Sequence, residues 1–360
     1  MKRRLGISIY PDHSDLEKDL RYIKKASDEG FSRLFMSLLE TKGDKNEVIS
    51  KYRKLTTEAK KLNFEVILDV SPAIFTSLGI SYDDLSFFEE LGVDGLRLDE
   101  GFDGKKEALL SYNPQKLNIE LNMSNDVAYL DNILSYQANK PFIYGCHNFY
   151  PQKGTGLPYS FFVKCSKRFK ENNIRTAAFI SSQTATIGPW DVNDGLPTLE
   201  EDRYLPVEVQ AKKMFATGLI DDVIIGNAYA SDSELEKLSS VDPYQVEFTV
   251  ELVPNTNDIE REIAFRNQHV RRGDITDQVI RSTEVRKTYA AISNKCHDNE
   301  IEFQRGDVVI GNNNFGKYKN ELQIVLEPHK DERKNLIGRI NKNELSLLAF
   351  IKPWSKFKFR

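Results

Sequence analysis

From residue 5 to about residue 235, short β-branched and aliphatic runs alternate with longer stretches whose apolar positions recur three and four apart, the pattern of repeated strand–helix units. Eight strand-like runs stand out: Leu5–Tyr10, Leu34–Leu39, Val66–Val70, Gly95–Asp99, Leu117–Asn122, Phe142–His147, Thr176–Ser181 and Val223–Asn227. Their spacing of roughly 20–45 residues suits a strand, a helix and two loops. The segments Ser14–Glu29, Asp44–Leu62, Asp83–Leu91, Asn125–Ala138, Ser160–Asn172 and Val207–Thr217 predict helices, several opening at Ser or Asp. Eight such units predict an α/β fold, a (β/α)8 barrel over residues 1–238, with an open doubly wound sheet as the competing architecture.

Beyond residue 239 the pattern changes. Val246–Val253, Gln278–Val285, Asp307–Gly311, Glu321–Leu326 and Leu345–Ile351 read as strands, separated by turns such as Pro254-Asn255 and Asn312-Asn313-Asn314. Residues 239–360 therefore predict a small, mainly β domain.

Composition narrows the function classes. Fifty basic residues stand against 54 acidic ones, a net charge of −4, which lacks the basic field a duplex nucleic-acid binder needs. No apolar run approaches the ~20 residues of a membrane span, and the opening Met1-Lys2-Arg3-Arg4 leads into a strand rather than a signal peptide. Cys146, Cys165 and Cys296 are odd in number and widely spaced, and the five histidines are scattered, so neither a disulfide framework nor a required metal or other cofactor is expected. A cytoplasmic home follows. Homo-oligomer formation is left open.

In a parallel barrel, chemistry gathers where the strands end. Period-two alternation turns Asn118, Glu120 and Asn122 to one face of their strand, and Arg97 and Asp99 to the same side of the strand before it; Asp69 alternates inward likewise. Carboxyls crowded at a barrel mouth drive at least one pKa up, leaving an acid beside a base, the pairing that glycosidic cleavage requires. Glu120 is the expected general acid and Asp99 the expected nucleophile or charge stabiliser. The blander alternative has Arg97 merely neutralising Asp99 and Glu120 in the barrel core. Strand six ends in Cys146-His147-Asn148-Phe149-Tyr150-Pro151, offering polar and aromatic groups to a sugar, with Cys146 turned to the helices if His147 points inward. The long, aromatic seventh loop and the Gly-rich turn after strand six supply Arg203 and Lys153 as candidate phosphate ligands, and Asn227 ends strand eight.

With Ile7-Ser8-Ile9-Tyr10-Pro11, Gly95-Leu96-Arg97-Leu98-Asp99, Asn118-Ile119-Glu120-Leu121-Asn122-Met123-Ser124 and His147-Asn148-Phe149-Tyr150-Pro151, the chain resembles the bacterial 6-phospho-N-acetylmuramidases over nearly its whole length. The resemblance implies a cyclophilin-like β domain after the barrel. It also implies cytoplasmic cleavage of a β-1,4-linked disaccharide of N-acetylmuramic acid 6-phosphate and N-acetylglucosamine during cell-wall recycling, in a pocket lined by Asp99, Glu120, Asn122, His147 and Asn148. Tyr10, Asp69, Arg97 and Asn227 complete the expected substrate contacts. In one variant the substrate's own acetamido oxygen attacks while Asp99 orients it. The competing functions are a non-catalytic sugar-phosphate sensor and a barrel lyase or isomerase acting on a phosphorylated monosaccharide.

Overall fold

The computed structural model describes residues 1–39 and 45–360, and the chain divides into two compact units, Met1–Ser240 and Val241–Arg360. In the first, eight parallel strands close a barrel in chain order: β1 (Arg4–Ile9), β2 (Arg33–Ser37), β3 (Glu65–Val70), β4 (Gly95–Leu98), β5 (Asn118–Asn122), β6 (Ile143–Cys146), β7 (Arg175–Ile180) and β8 (Asp222–Ile225). β8 pairs back onto β1, Ile7 opposite Ile225, so no open edge remains. That closure excludes the doubly wound sheet.

The surrounding helices are α1 (Leu16–Asp28), α2 (Lys45–Lys61), α3 (Pro72–Ser77), α4 (Ser86–Leu91), α5 (Lys105–Leu110), α6 (Tyr129–Ser135), α7 (Tyr159–Glu171), α8 (Val207–Ala216) and α9 (Asp232–Ser239). Asp44, expected to open α2, lies outside the described residues. The short α3 and α5 were hidden from periodicity because two turns are too few to display a face.

The outward strand faces pack aliphatic residues such as Leu34, Val66, Leu96 and Ile119 under the helices, all fully or nearly fully buried. The inward face is different. Where most such barrels stack branched aliphatics, this one carries an ion-pair network. Asp222 accepts from both Arg4 (2.7 and 2.9 Å) and Arg175 (2.5 and 2.8 Å); Glu65 accepts from Arg4 Nη2 at 2.6 Å and Arg33 Nη1 at 3.1 Å; the other Arg33 terminal nitrogen bonds Glu120. Gly6 makes this possible. A Cβ there would stand 2.9 Å from Arg33 Cβ, so only glycine lets the Arg33 stem lie flat across β1.

The second unit is β-rich. One sheet of five strands runs in the order β10 (Val250–Leu252), β15 (Lys334–Ile340), β13 (Asp307–Gly311), β14 (Leu322–Val325), β12 (Val279–Ser282); another of three joins β11 (His269–Val270), β16 (Lys356–Phe359) and β9 (Val246–Phe248). Two expectations are corrected here. Val246–Val253 is not one strand: it breaks at Thr249, whose N–H donates to Glu344 at 2.6 Å, and its halves join different sheets. Leu345–Ile351 is not a strand either, because 342–350 winds as 3₁₀ turns opened by the Asn341 side chain, burying the consecutive Leu347 and Leu348 as no alternating strand would.

Candidate active site at the barrel mouth

Four residues carried by β3, β4 and the ends of β4 and β6 meet at the carboxyl end of the barrel. Arg97 Nη1 donates to Asp69 Oδ1 at 2.5 Å and to Asp99 Oδ1 at 3.1 Å, while Nη2 donates to Asn148. Asp69 and Arg97 are buried, whereas the Asp99 side chain is 37% exposed and forms the solvent side of the cluster. Burial dominates at Asp69: it outweighs the guanidinium and, with the Asp99 charge adding to it, lifts the carboxyl to about 7. Asn122 donates to the Asp99 carbonyl at 3.1 Å and accepts from Ser124 N–H at 2.9 Å, so its side chain shapes the turn that carries Asp99.

Glu120 requires a correction. It faces the axis, as alternation predicts, but in register it lies opposite Arg97, one inward position below the strand end, and it is fully buried against Arg33. Its ion-pair partner, Arg33, also holds Glu65, whereas the partner of Asp69, Arg97, also holds the exposed Asp99. Burial still outweighs Arg33 and Arg97 and pushes its pKa up. The predicted pairing of Arg97 with Asp99 is present, but its buried partner is Asp69 and not Glu120.

The phase of β6 is also opposite to that expected for an inward His147. Tyr144 hydroxyl reaches Glu65 at 3.2 Å inside the barrel, which puts Cys146 on the inner face and His147 on the outer one. His147 is buried between Ser124 Oγ (3.0 Å) and Ser166 Oγ of α7 (2.8 Å), and burial, helped by Arg97, depresses its pKa to about 3. It is a neutral bridge between Ser124 and Ser166 on the outer face of the strand. Burial pushes the Cys146 thiol well above its ordinary range, which leaves it inert as a nucleophile.

Arg203 is likewise not disposed to take a phosphate. Its guanidinium is buried and donates to the carbonyls of Tyr150 (2.9 Å), Gly195 (3.0 Å) and Gln152 (3.2 Å) and to both Glu200 oxygens (2.9 and 2.6 Å), clamping the β6 and β7 loops together. Asn227 is spent similarly: it accepts from Ser182 N–H at 2.8 Å and donates to Ser182 O at 3.0 Å. Tyr10, buried, donates its hydroxyl to the Gly226 carbonyl and seals β1 against the end of β8. Lys153 is exposed in the β6 loop, its ammonium 5.7 Å from the Tyr204 ring centre.

Sequence reasoning missed the groups that hold the loops in place. Buried Glu107 accepts from Gly104 N–H at 2.7 Å, Tyr129 hydroxyl at 2.6 Å and Phe102 N–H, pinning the loop that begins at Asp99. Glu234 does the same for the β7 loop through Ser182 Oγ (2.7 Å) and Gln183 N–H (2.7 Å). The signal was present as Ser231-x-x-Glu234, the spacing at which a glutamate reaches back to a helix start. Aromatic rings floor the mouth: Phe149 packs edge-on to Tyr10, Phe35 and Phe179, and Trp190 of the β7 loop, 41% exposed, lies 5.9 Å from it.

Among the described residues, no group of three or more His, Cys, Asp or Glu is arranged to hold a metal ion, and no helix is long and apolar enough to cross a membrane.

The chain is similar over 100% of its length to 100% of an uncharacterized B. cereus protein of known crystal structure, at 54% identity and a TM-score of 0.94. A conserved Enterococcus faecalis protein of unknown function shares 27% identity over 99% of this chain and 96% of its own, with a TM-score of 0.73. No curated protein matches. Residues 5–240 match the family model of the 6-phospho-N-acetylmuramidase N-terminal region and residues 246–360 that of its C-terminal region. Both halves agree, and the chain belongs to the 6-phospho-N-acetylmuramidase family.

Proposed function

We propose that this protein is a cytoplasmic glycoside hydrolase that cleaves N-acetylmuramic acid 6-phosphate from N-acetylglucosamine during peptidoglycan recycling. One observation carries the reading. Asp69 and Asp99 accept from a single nitrogen of Arg97 at 2.5 and 3.1 Å, so those oxygens are separated by at most the sum of the two distances. The bound is short of the roughly 6.5–9.5 Å between the carboxyls of inverting glycosidases and compatible with the roughly 5–5.5 Å of retaining ones.

Asp69, half protonated near neutrality, supplies the proton to the leaving oxygen in place of Glu120. Asp99, on the solvent side, faces the anomeric carbon as nucleophile, or orients the substrate's acetamido group for attack from within the sugar. Arg97 holds the two at fixed separation, Asn122 shapes the turn that carries Asp99, and Asn148, whose oxygen accepts from Arg97, presents its amide nitrogen to a hydroxyl. The exposed ammonium of Lys153, on the loop clamped by Arg203, is assigned to the 6-phosphate. The β-rich composition of the C-terminal unit supports the cyclophilin-like reading, with no isomerase activity attached to it.

The test is mass spectrometry of products from the phosphorylated disaccharide and its unphosphorylated counterpart. Cleavage restricted to the former is expected. Saturable binding without products would leave a sensor, and turnover of the phosphorylated monosaccharide alone would leave a lyase or isomerase.

A further inference from the structure

Below the mouth, the barrel holds more carboxyls than it can ionise comfortably. Arg4, Arg33, Arg175 and Arg97 face Glu65, Glu120, Asp222, Asp69 and Asp99, four guanidiniums against five acids, of which only Asp99 is substantially exposed. Asp222 and Glu65 each have two guanidinium partners, and these hold both below the usual carboxylate range against the opposing effect of burial. Asp69 and Glu120 each have one, and Arg97 stands between them as the register partner of both. Three buried polar atoms around this gap have no partner in the protein: Arg33 Nε, Arg97 Nε and Glu120 Oε1. A carboxyl oxygen left bare in such a place is stable when protonated, or when a trapped water meets it.

We infer that Glu120 is a positioning residue which, across Arg97, shares one buried proton with Asp69 and so sets the pH at which the proposed acid is loaded. The inference rests on the glycosidase reading for its consequence but not for its test. The charged and titratable groups facing Asp69 are Arg97, Asp99, Glu120 and Tyr10; those facing Glu120 are Arg33, Arg97, Asp222 and Glu65, with Cys146 beside both. Removing the Glu120 charge takes a repelling neighbour from Asp69 and leaves its guanidinium in place.

Carboxyl-¹³C titration of the full chain, labelled at aspartate and assigned with Asp69→Asn, tests this without substrate. In Glu120→Gln the Asp69 midpoint is expected to fall by about one pH unit, the scale of a close charge in a desolvated site. An unmoved midpoint overturns the inference. Should Glu120→Gln fail to fold, Asp99→Asn decides instead: with Asp99 removed, an Asp69 curve that departs from a single-site titration supports the shared proton, and a one-site curve refutes it. Absence of disaccharide cleavage by the wild type would sink the glycosidase reading while leaving the titration result standing.

Discussion

Replacing Asp69 by Asn should make the protein more stable near neutral pH while abolishing most of its turnover. The shape is kept, because an amide oxygen still accepts from Arg97 Nη1. The folded-state pKa of about 7 lies above the ordinary 3.8, so between these values the native protein holds a proton that the unfolded chain has lost. Stability therefore falls as pH rises through this window, and the penalty is full above it. At 1.36 kcal/mol per unit the shift corresponds to about 4 kcal/mol, an upper scale for what the variant regains at pH 8. Near pH 4 the difference should vanish. Urea unfolding of both proteins at pH 4, 6 and 8 measures it, with groups that do not face Asp69, His147 among them, cancelling in the comparison. Turnover should meanwhile drop by about 100- to 10,000-fold, and the variant should lose the decline in rate that deprotonation of Asp69 imposes on the wild type above neutrality. A fully ionised Asp69 paired with Arg97 predicts the opposite sign, a loss of about 3–5 kcal/mol on breaking a buried pair. A destabilised Asp69→Asn at pH 8 would refute the argument.

Further outcomes follow from the same network. Arg33→Met should cost about 3–5 kcal/mol in urea unfolding, because Glu120 is left buried without its guanidinium, and adding Glu120→Met should recover much of that loss. Gly6→Ala should destabilise by about 1–3 kcal/mol, since its methyl would press on Arg33 Cβ and the Arg33 carbonyl, each 2.9 Å away. Arg203→Lys should speed limited proteolysis of the loops at 151–157 and 194–200 while reducing turnover of phosphorylated and unphosphorylated disaccharide in equal proportion; a selective loss for the phosphorylated sugar would restore Arg203 as its ligand. His147, held near 3, should show no imidazole titration by NMR between pH 5 and 8; because the unfolded chain takes up its proton first, this residue removes stability as pH falls below about 6.5.

Periodicity alone located the strands of the first unit, while the pairing of β8 with β1 decided for a closed barrel over an open sheet. All eight strands are present in the predicted order, since a parallel barrel strand writes its burial into consecutive aliphatic residues and its helices into a 3.6-residue repeat. Alternation also assigned Asp69, Arg97, Asp99 and Glu120 to the inner face. It did not determine height along the axis, because a period of two says which way a side chain points and not how far below the rim it lies. Only the folded barrel set Glu120 beside Arg97 in register and buried it against Arg33. Partner choice was equally hidden: Arg33 and Glu120 are 87 residues apart, and barrel closure alone brings them together. The same holds for Arg203, whose charge reads as a ligand in the chain but whose fork is filled by carbonyls that two distant loops deliver. Local pattern fixes direction and element type through short-range sterics and hydrophobic burial; distance between charges, and hence the protonation of Asp69, is a property of the folded barrel.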